Sequence, residues 1–326
     1  MAVNLFEKIK NQKWFSIYLI ELLAVLLIFG LGSLTIHGFF SWQTVVATLV
    51  IGSFLGIAAG GQTIVIILGA IDLSIPSIMS AAVTLGGFWT GHGWPFYAIV
   101  TFLVGEAIII GCINALVSKK LNIQPMITTL ATGAIVRGIT SAISHGYVQS
   151  NVPKWVGRLS ALNGHMGPIP LPPIVGIWAL YTIIILLLLF KTTWGRRLYA
   201  SGVNDRAAQL ALVNTTWVWV SAFVLSSITA VLAGILLAGF AGSGYADTGA
   251  QCLFLTVGAV VLGGTSTIGG RGGYGQTVFG AIIMTLIGTI TIGFGLNSAA
   301  QQIVLGIIIV GLMALYGKTQ QIRLRM

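Results

Sequence analysis

The sequence predicts an all-α fold, a polytopic membrane helix bundle of about ten transmembrane helices, and three observations predict it. Of 326 residues, 56% are hydrophobic and only 7% are charged, whereas an ordinary soluble domain carries about 25% charged residues. So few charges cannot cover a water-facing surface. The apolar residues fall into runs of the length that crosses a bilayer, which takes roughly 20 residues. The 43 glycines are spread through those runs, as expected where small residues let helices approach closely in lipid. Residues 1–326 read as a single transmembrane domain.

Taken in order, Lys8, Lys10 and Lys13 precede the first run, 14–36. That run has the length of an uncleaved span rather than of a signal peptide. The second, 44–69, carries Gly52, Gly56 and Gly60 four apart on one face. This face reads as close helix packing, with the wall of a narrow path as the alternative. Gly60–Gly61 is expected to interrupt the run. GAIDLSIPS over 69–77 is a helix break. There Asp72 or Ser74 accepts from free backbone N–H groups, and Pro76 opens the next helix. Breaks at membrane depth face protein or water, so Asp72, Ser74 and Pro76 are also candidates for a translocation path.

Runs follow at 75–91, 96–118 and 125–146, the last two joined by 119–124 as an antiparallel hairpin. Glu106 and Arg137 fall near mid-depth on these two spans. A lone charge there costs roughly 2.5–3.5 kcal/mol, which predicts an intramembrane Glu106–Arg137 pair facing the bundle interior. Contact of either side chain with solute hydroxyls is the rival. After a long loop, 147–172, and a run at 173–190 comes a basic, polar island, KTTWGRRLYASGVNDRAAQLAL over 191–212. It must sit in water, and it offers a soluble partner a grip. Asn204 is a good N-cap for a short helix over 205–212.

The run 217–240 ends at a second expected break, 241–249, with Gly242, Gly244, Tyr245 and Asp247. Asp247 reads as part of a solvated turn, with an outer gate or a docking contact as alternatives. The remaining runs are 250–264, which is short, 275–293 and 299–316. Between the first two lies GGTSTIGGRGG, 263–273.

The Lys and Arg bias orients the chain. With the N-terminus inside, Lys119, Lys120, the 191–206 island, Arg271, Lys318, Arg323 and Arg325 all fall in the cytoplasm. Lys154 and Arg158 fall outside. Both termini are then expected in the cytoplasm of a multi-pass membrane protein. The nine tryptophans all lie near expected interfaces, where an amphipathic ring is favoured.

Several functions are excluded. The net charge of +10 is scattered in short clusters between spans, so nucleic acid is not an expected partner. Cys112 and Cys252 sit inside apolar runs with no metal-ligand spacing. GLMALYGKT, 311–319, places five residues between its glycines where a phosphate-binding loop needs four. The Gly-rich 263–273 stretch lacks the phosphate-binding spacing too. No catalytic residue, cofactor or metal is expected in this chain, and it is not expected to be an enzyme. So few ionisable residues in the spans suit an uncharged solute better than an ion. An ion-coupled secondary carrier is the alternative, but it needs intramembrane acids, and only Glu106 qualifies at mid-depth, with Asp72 marginal.

Four stretches together resemble the permease subunits of ATP-binding-cassette importers for simple sugars, the ribose/xylose/arabinose/galactose type. They are GAIDLSIPS, QPMITTLATGAIVRGI at 124–139, TTWGRRLYASGVNDRAAQLALVN at 192–214 and VVLGGTSTIGGRGG at 260–273. The resemblance covers about 44–316. It implies a bacterial-type inner membrane, a second permease copy, a cytosolic ABC ATPase that carries the ATP and Mg, and an extracytoplasmic sugar-binding protein. It also implies that 191–216 forms the ATPase coupling loop, with Gly202, Asn204, Asp205, Arg206, Ala207, Ala208, Leu210 and Asn214 in it. Asp72, Ser74 and Pro76 match one helix break. Gly263, Gly264, Thr265, Ser266, Gly269 and Gly270 match the Gly-rich turn. Three departures are visible: Ile75-Pro76 stands where the family has Val-Gly, Ser201-Gly202-Val203 where it has x-Gly-Gly, and Ala211-Leu212-Val213 where it has Ser-Gly-Ile.

Overall fold

The computed structural model describes residues 2–324 apart from 147, 150 and 246, and side chains over 17–146, 151–245 and 247–311. The side chains of Lys8, Lys10, Lys13, Trp14, Lys318, Arg323 and Arg325, which helped to orient the sequence, lie outside that range.

The chain folds into helices α1 (Ala2–Thr35), α2 (Trp42–Ile67), α3 (Ile75–Gly91), α4 (Phe96–Lys120) and α5 (Pro125–Ser144), then a short strand β1 (Val148–Gln149). Helices α6 (Lys154–Ser160), α7 (Pro173–Lys191), α8 (Thr193–Val203), α9 (Asp205–Leu210) and α10 (Thr215–Ala241) follow. Strand β2 (Ser243–Gly244), α11 (Cys252–Leu262), α12 (Tyr274–Gly293) and α13 (Ser298–Leu324) complete it. Each of the ten expected runs contains a helix. Among the described residues, seven helices are long and apolar enough to cross a membrane. The 17 residues of α3, the 11 of α11 and the described apolar part of α13, Ser298–Gly311, fall short, so the expected count of about ten is not met by length.

Helix α2 is the axis of the bundle. It packs against α7, α10, α11 and α12 and is buried almost throughout its second half. It runs unbroken through Gly60–Gly61, correcting the expected interruption. A Cβ at Gly56 would overlap the Trp178 indole, one at Gly60 the Tyr181 hydroxyl and one at Gly61 the Thr229 hydroxyl. These glycines let α7 and α10 press against the α2 backbone, which is the packing use of small residues in lipid, and their face lines no opening. Trp178 and Trp194 are therefore interior residues, 4% and 8% exposed, rather than interfacial anchors. Trp178 Nε1 donates to the Tyr274 hydroxyl (2.9 Å), which in turn donates to the Gly56 carbonyl (2.8 Å).

The connections gather at two ends. At one end the 68–74 break, the α4–α5 turn, α8, α9 and the 263–273 turn meet. At the other, α6 lies against the end of α10, where Ser160 Oγ donates to the Leu236 carbonyl at 3.2 Å, and Trp155 meets Phe96 edge-on. Helix α1 is peripheral, touching α12 through Tyr18 and Phe279 and leaving little of its described stretch, Ile17–Thr35, buried.

Candidate coupling elbow and membrane-depth ion pair

The polar island folds as two capped helices. Thr192 Oγ1 accepts from Gly195 N (3.1 Å) and starts α8. Asn204 Oδ1 accepts from Ala207 N (3.0 Å) and starts α9, as its sequence position predicted. Each cap satisfies a backbone N–H that has no partner within its helix. Helix α9 ends at Leu210, two residues before the expected 212, because Leu212 turns to φ +60°. Asn214 then caps α10 through Trp217 N at 3.0 Å.

Three sequence motifs that are far apart in the chain converge on this elbow. Gly202, at the end of α8, lies so close to the end of α2 that a Cβ there would overlap the Ile67 carbonyl oxygen and stand 2.8 Å from Gly270 N. That same carbonyl accepts from Gly270 N at 2.8 Å. A Cβ on Gly269 would meet the Gly202 carbonyl and Gly69 N, each at 2.8 Å. Tyr199 Oη donates to the Gly272 carbonyl (2.7 Å). Burial pushes the Tyr199 phenol well above its usual pKa, so it remains a donor at any physiological pH. The island, the 69–77 break and the Gly-rich turn thus form one rigid junction. Gly263 and Gly264 end α11 there: a Cβ at Gly263 would crowd the Gln276 backbone at 2.6 Å. Thr265 is buried, and Ser266 N bonds the Arg271 carbonyl at 3.1 Å, closing the turn.

A salt bridge fixes the junction sideways. Lys119 Nζ, at the end of α4, binds Asp205 Oδ2 on α9. It also lies 5.3 Å from the centre of the Trp219 ring. Gln209 Nε2 donates to the same carboxylate oxygen at 2.8 Å and to Thr215 Oγ1 at 3.0 Å. Ala208 faces inward, 5% exposed, while Leu210 and Leu212 stand out at 81% and 94%. Ala207 and Arg206 are exposed. These two leucines form an outward apolar ridge on an otherwise polar elbow.

The 68–74 break is locked by a buried polar network. Asp72 Oδ1 accepts from Ser74 N (3.0 Å) and Ser74 Oγ (2.5 Å), and its Oδ2 accepts from Ser226 Oγ on α10 (2.8 Å). Asn114 Nδ2 on α4 donates to Ser74 Oγ (3.0 Å), and Thr132 Oγ1 on α5 donates to Asn114 Oδ1 (2.6 Å). Asp72 is 1% exposed and Ser74 0%. Asp72, rather than Ser74, does the capping, and Pro76 sits in the first turn of α3 without needing a donor. Satisfied networks of this kind rigidify a core. Four helices are tied to one carboxylate, and neither residue faces an opening.

The expected Glu106–Arg137 pair is not what the structure holds. Arg137 Nε lies 3.1 Å from Asp247 Oδ1, and these side chains are 52% and 47% exposed. Glu106 has no salt-bridge partner among the described residues. Equal depth on α4 and α5 suggested the pair, but depth does not fix azimuth: Arg137 is on the face of α5 that neither α3 nor α4 covers. Asp247 opens a hydrogen-bonded turn, with Ala250 N on its carbonyl at 2.9 Å and its side chain half-exposed, and that turn packs beside α3 rather than beyond its end. Its segment descends along α3: a Cβ at Gly244 would press on Val83, and Gly249 N donates to Ser80 Oγ at 2.8 Å.

Sequence reasoning missed the Lys119–Asp205 bridge and the Asp72 network. Both join residues more than 80 positions apart in at least one contact, beyond the reach of local pattern. Among the described residues no group of three His, Cys, Asp or Glu could hold a metal.

Comparison with known proteins places the chain. A family model described as "Branched-chain amino acid transport system / permease component" matches residues 44–313. The chain is 33% identical to the autoinducer 2 import system permease protein LsrC of Photorhabdus luminescens, over 82% of this chain and 79% of that one. It is 35% identical to the ribose import permease protein RbsC of Bacillus subtilis, over 78% of each. It is 30% identical to the probable ABC transporter permease protein YphD of Escherichia coli, over 89% and 86%. No solved structure matches the chain.

Proposed function

The chain belongs to this permease family, and on that premise we propose that it is the membrane-spanning subunit of an ATP-driven importer for a sugar or sugar-like solute. Relatives described as importing ribose and autoinducer 2 support that substrate class, and so does the scarcity of charge in the spans. The chain performs no covalent chemistry in this reading. A cytosolic ABC ATPase holds the ATP and Mg, a second permease copy completes the path, and an extracytoplasmic binding protein delivers the solute.

One observation carries the mechanism: the elbow of α8 and α9 is joined rigidly to the ends of α2 and α4 and to the 263–273 turn. A push on its exposed ridge of Leu210 and Leu212 moves those helix ends rather than bending a loop. The same end of the bundle holds Lys119, Lys120, Arg196, Arg197, Arg206 and Arg271, which supports a cytoplasmic elbow and cytoplasmic termini. The Asp72 network passes the movement from the α2–α3 break to α4, α5 and α10.

Reconstitution in liposomes with the ATPase and the binding protein tests the reading. Solute-dependent ATP hydrolysis and uptake that both require all three components are expected. Accumulation by the purified chain alone in an ion gradient would instead make it a secondary carrier.

A further inference from the structure

We propose that the Arg137–Asp247 pair lines a water-filled path at mid-membrane and contacts the hydroxyl groups of the passing solute. This rests on the importer reading above and names the part of the path that touches the sugar.

The depth of the pair comes from the chain itself. Arg137 is twelve residues into α5 and seven from its end at Ser144, about 18 Å and 10 Å from the two ends at 1.5 Å per residue. Both distances lie inside a hydrocarbon core about 30 Å thick. Independent contacts agree. One turn before Arg137, a Cβ on Gly133 would stand 3.1 Å from Ser77 Oγ and 3.4 Å from Ser74 Cα of the α3 start. Asp247 lies between Gly244, against Val83, and Gly249, bonded to Ser80. The described residues of 242–251 therefore run beside α3 at mid-depth as a two-residue strand and a turn rather than as a helix. Backbone of that kind is tolerated at membrane depth only where protein buries it or water fills a cavity beside it. Gly244 and Gly249 are buried against α3, but Tyr245 is 53% exposed and both members of the ion pair are half-exposed, so protein of this subunit buries only the α3 side of the segment.

The exposed arc of α5 is divided. Toward the end of α5 Arg137 shares one side with Ala134 and Ser141, its i−3 and i+4 neighbours, both exposed and small, while Leu130, two turns earlier on that side, is 51% exposed. The other side carries Ile135 and Ile139, 60% and 54% exposed. Ile135 and Ile139 suit lipid. A guanidinium and a carboxylate do not, because an ionised group against acyl chains is costly. The polar side of the arc is therefore wet.

The chemistry of the pair names its ligand class. The ion pair uses Nε and one carboxylate oxygen. A guanidinium has four further N–H donors, and a carboxylate has a second acceptor oxygen. Donor and acceptor side by side are the complement of a vicinal diol, one hydroxyl accepting from nitrogen and the other donating to oxygen. The pair is net neutral, so it holds an uncharged polyol briefly without trapping an ion.

The test uses the full importer in proteoliposomes, with Cys112 and Cys252 replaced by serine. Ser141→Cys and Ala134→Cys are expected to react with a membrane-impermeant methanethiosulfonate reagent, and Ile135→Cys to react at least tenfold more slowly. Silence at 134 and 141 beside normal labelling of Trp155→Cys, exposed on α6, would overturn the wet path. With ribose as the probe and its binding protein saturating, Arg137→Gln and Asp247→Asn should each lower maximal uptake at least tenfold. The swapped double variant, Arg137→Asp with Asp247→Arg, separates function from structure. It keeps the ion pair but reverses donor and acceptor, and it should assemble without transporting. Uptake within twofold of wild type in the swap would make the pair structural only and end the solute-contact proposal. Wild-type vesicles that import no ribose would count against the importer reading for that sugar, while the thiol labelling would still decide whether the face is wet.

Discussion

Two ion pairs tie helices of this protein to its less regular segments, and they are built in opposite ways. Lys119–Asp205 joins α4 to the elbow and is mostly buried, 15% and 33% exposed. Its carboxylate is also held by Gln209, and its ammonium lies over Trp219. Arg137–Asp247 joins α5 to the 242–251 segment and is half-exposed on both sides. The first pair has its surroundings filled by protein, so it can only transmit. The second leaves room for something to enter, so it can also bind. The glycines follow the same division. Those at the elbow have backbone where a Cβ would go, whereas Gly138, the residue after Arg137, has nothing within 4 Å.

The largest expected effect lies at the elbow. Gly202→Val has no room, because the obstructing atoms are the Ile67 carbonyl and the Gly270 amide, and backbone does not yield as a side chain does. Ordinary overpacking costs roughly 1–3 kcal/mol, and this change should exceed that. Thermal unfolding of the purified protein in detergent should show loss of the folded species. A stable Gly202→Val protein would mean that the junction is loose and cannot act as a lever.

Next comes the exposed ridge. Ala207→Arg should leave unfolding unchanged, since the side chain points to solvent, but abolish solute-stimulated ATP hydrolysis in the assembled importer. Ala208→Arg should fail earlier, at folding, because Ala208 is 5% exposed. Full stimulation in Ala207→Arg would move the ATPase contact elsewhere and remove the functional half of the comparison.

The buried bridge should give a smaller, separable effect. Surface pairs contribute about 0–1 kcal/mol, and breaking a buried pair costs about 3–5 kcal/mol. Lys119–Asp205 lies between, so Lys119→Gln or Asp205→Asn should cost roughly 1–2 kcal/mol. A double-mutant cycle should then show coupling above about 0.5 kcal/mol. Additive losses would mean that the two side chains act independently and that the elbow is held by its glycines alone.

How much of this was legible in the sequence follows from the range of each interaction. The Asn204 cap was legible because it acts across three residues, and the spans were legible because hydropathy is local. Gly60–Gly61 misled because glycine breaks helices in water but admits a neighbour in lipid, and only the presence of Tyr181 and Thr229 beside it tells the two apart. Arg137 was correctly identified as a charge that needs a partner. The partner was wrong because counting along a helix gives level and not direction, and because Asp247 reads as an outer turn until the descent along α3 is known. The Asp72 carboxylate was marked by its break motif, but Ser226 lies 154 residues away and carries no mark of its own. Local physics thus places the elements, while long-range polar contacts decide which of them share a site.

The smallest expected effect sharpens the comparison most. Gly138→Ala adds one methyl on the open side of α5, where no atom lies within 4 Å and where alanine is about 1 kcal/mol better than glycine in a helix interior. Stability should therefore stay level or rise slightly in thermal unfolding. A methyl added beside a path that a sugar must pass should still lower uptake modestly, by about twofold, and bulkier residues should lower it in order of volume. Graded loss at 138 without loss of stability is the behaviour of a space that the solute uses. If Gly138→Leu transports as well as wild type, the opening beside Arg137 is only a gap between the subunit and lipid, and the contrast between a transmitting pair and a binding pair no longer holds.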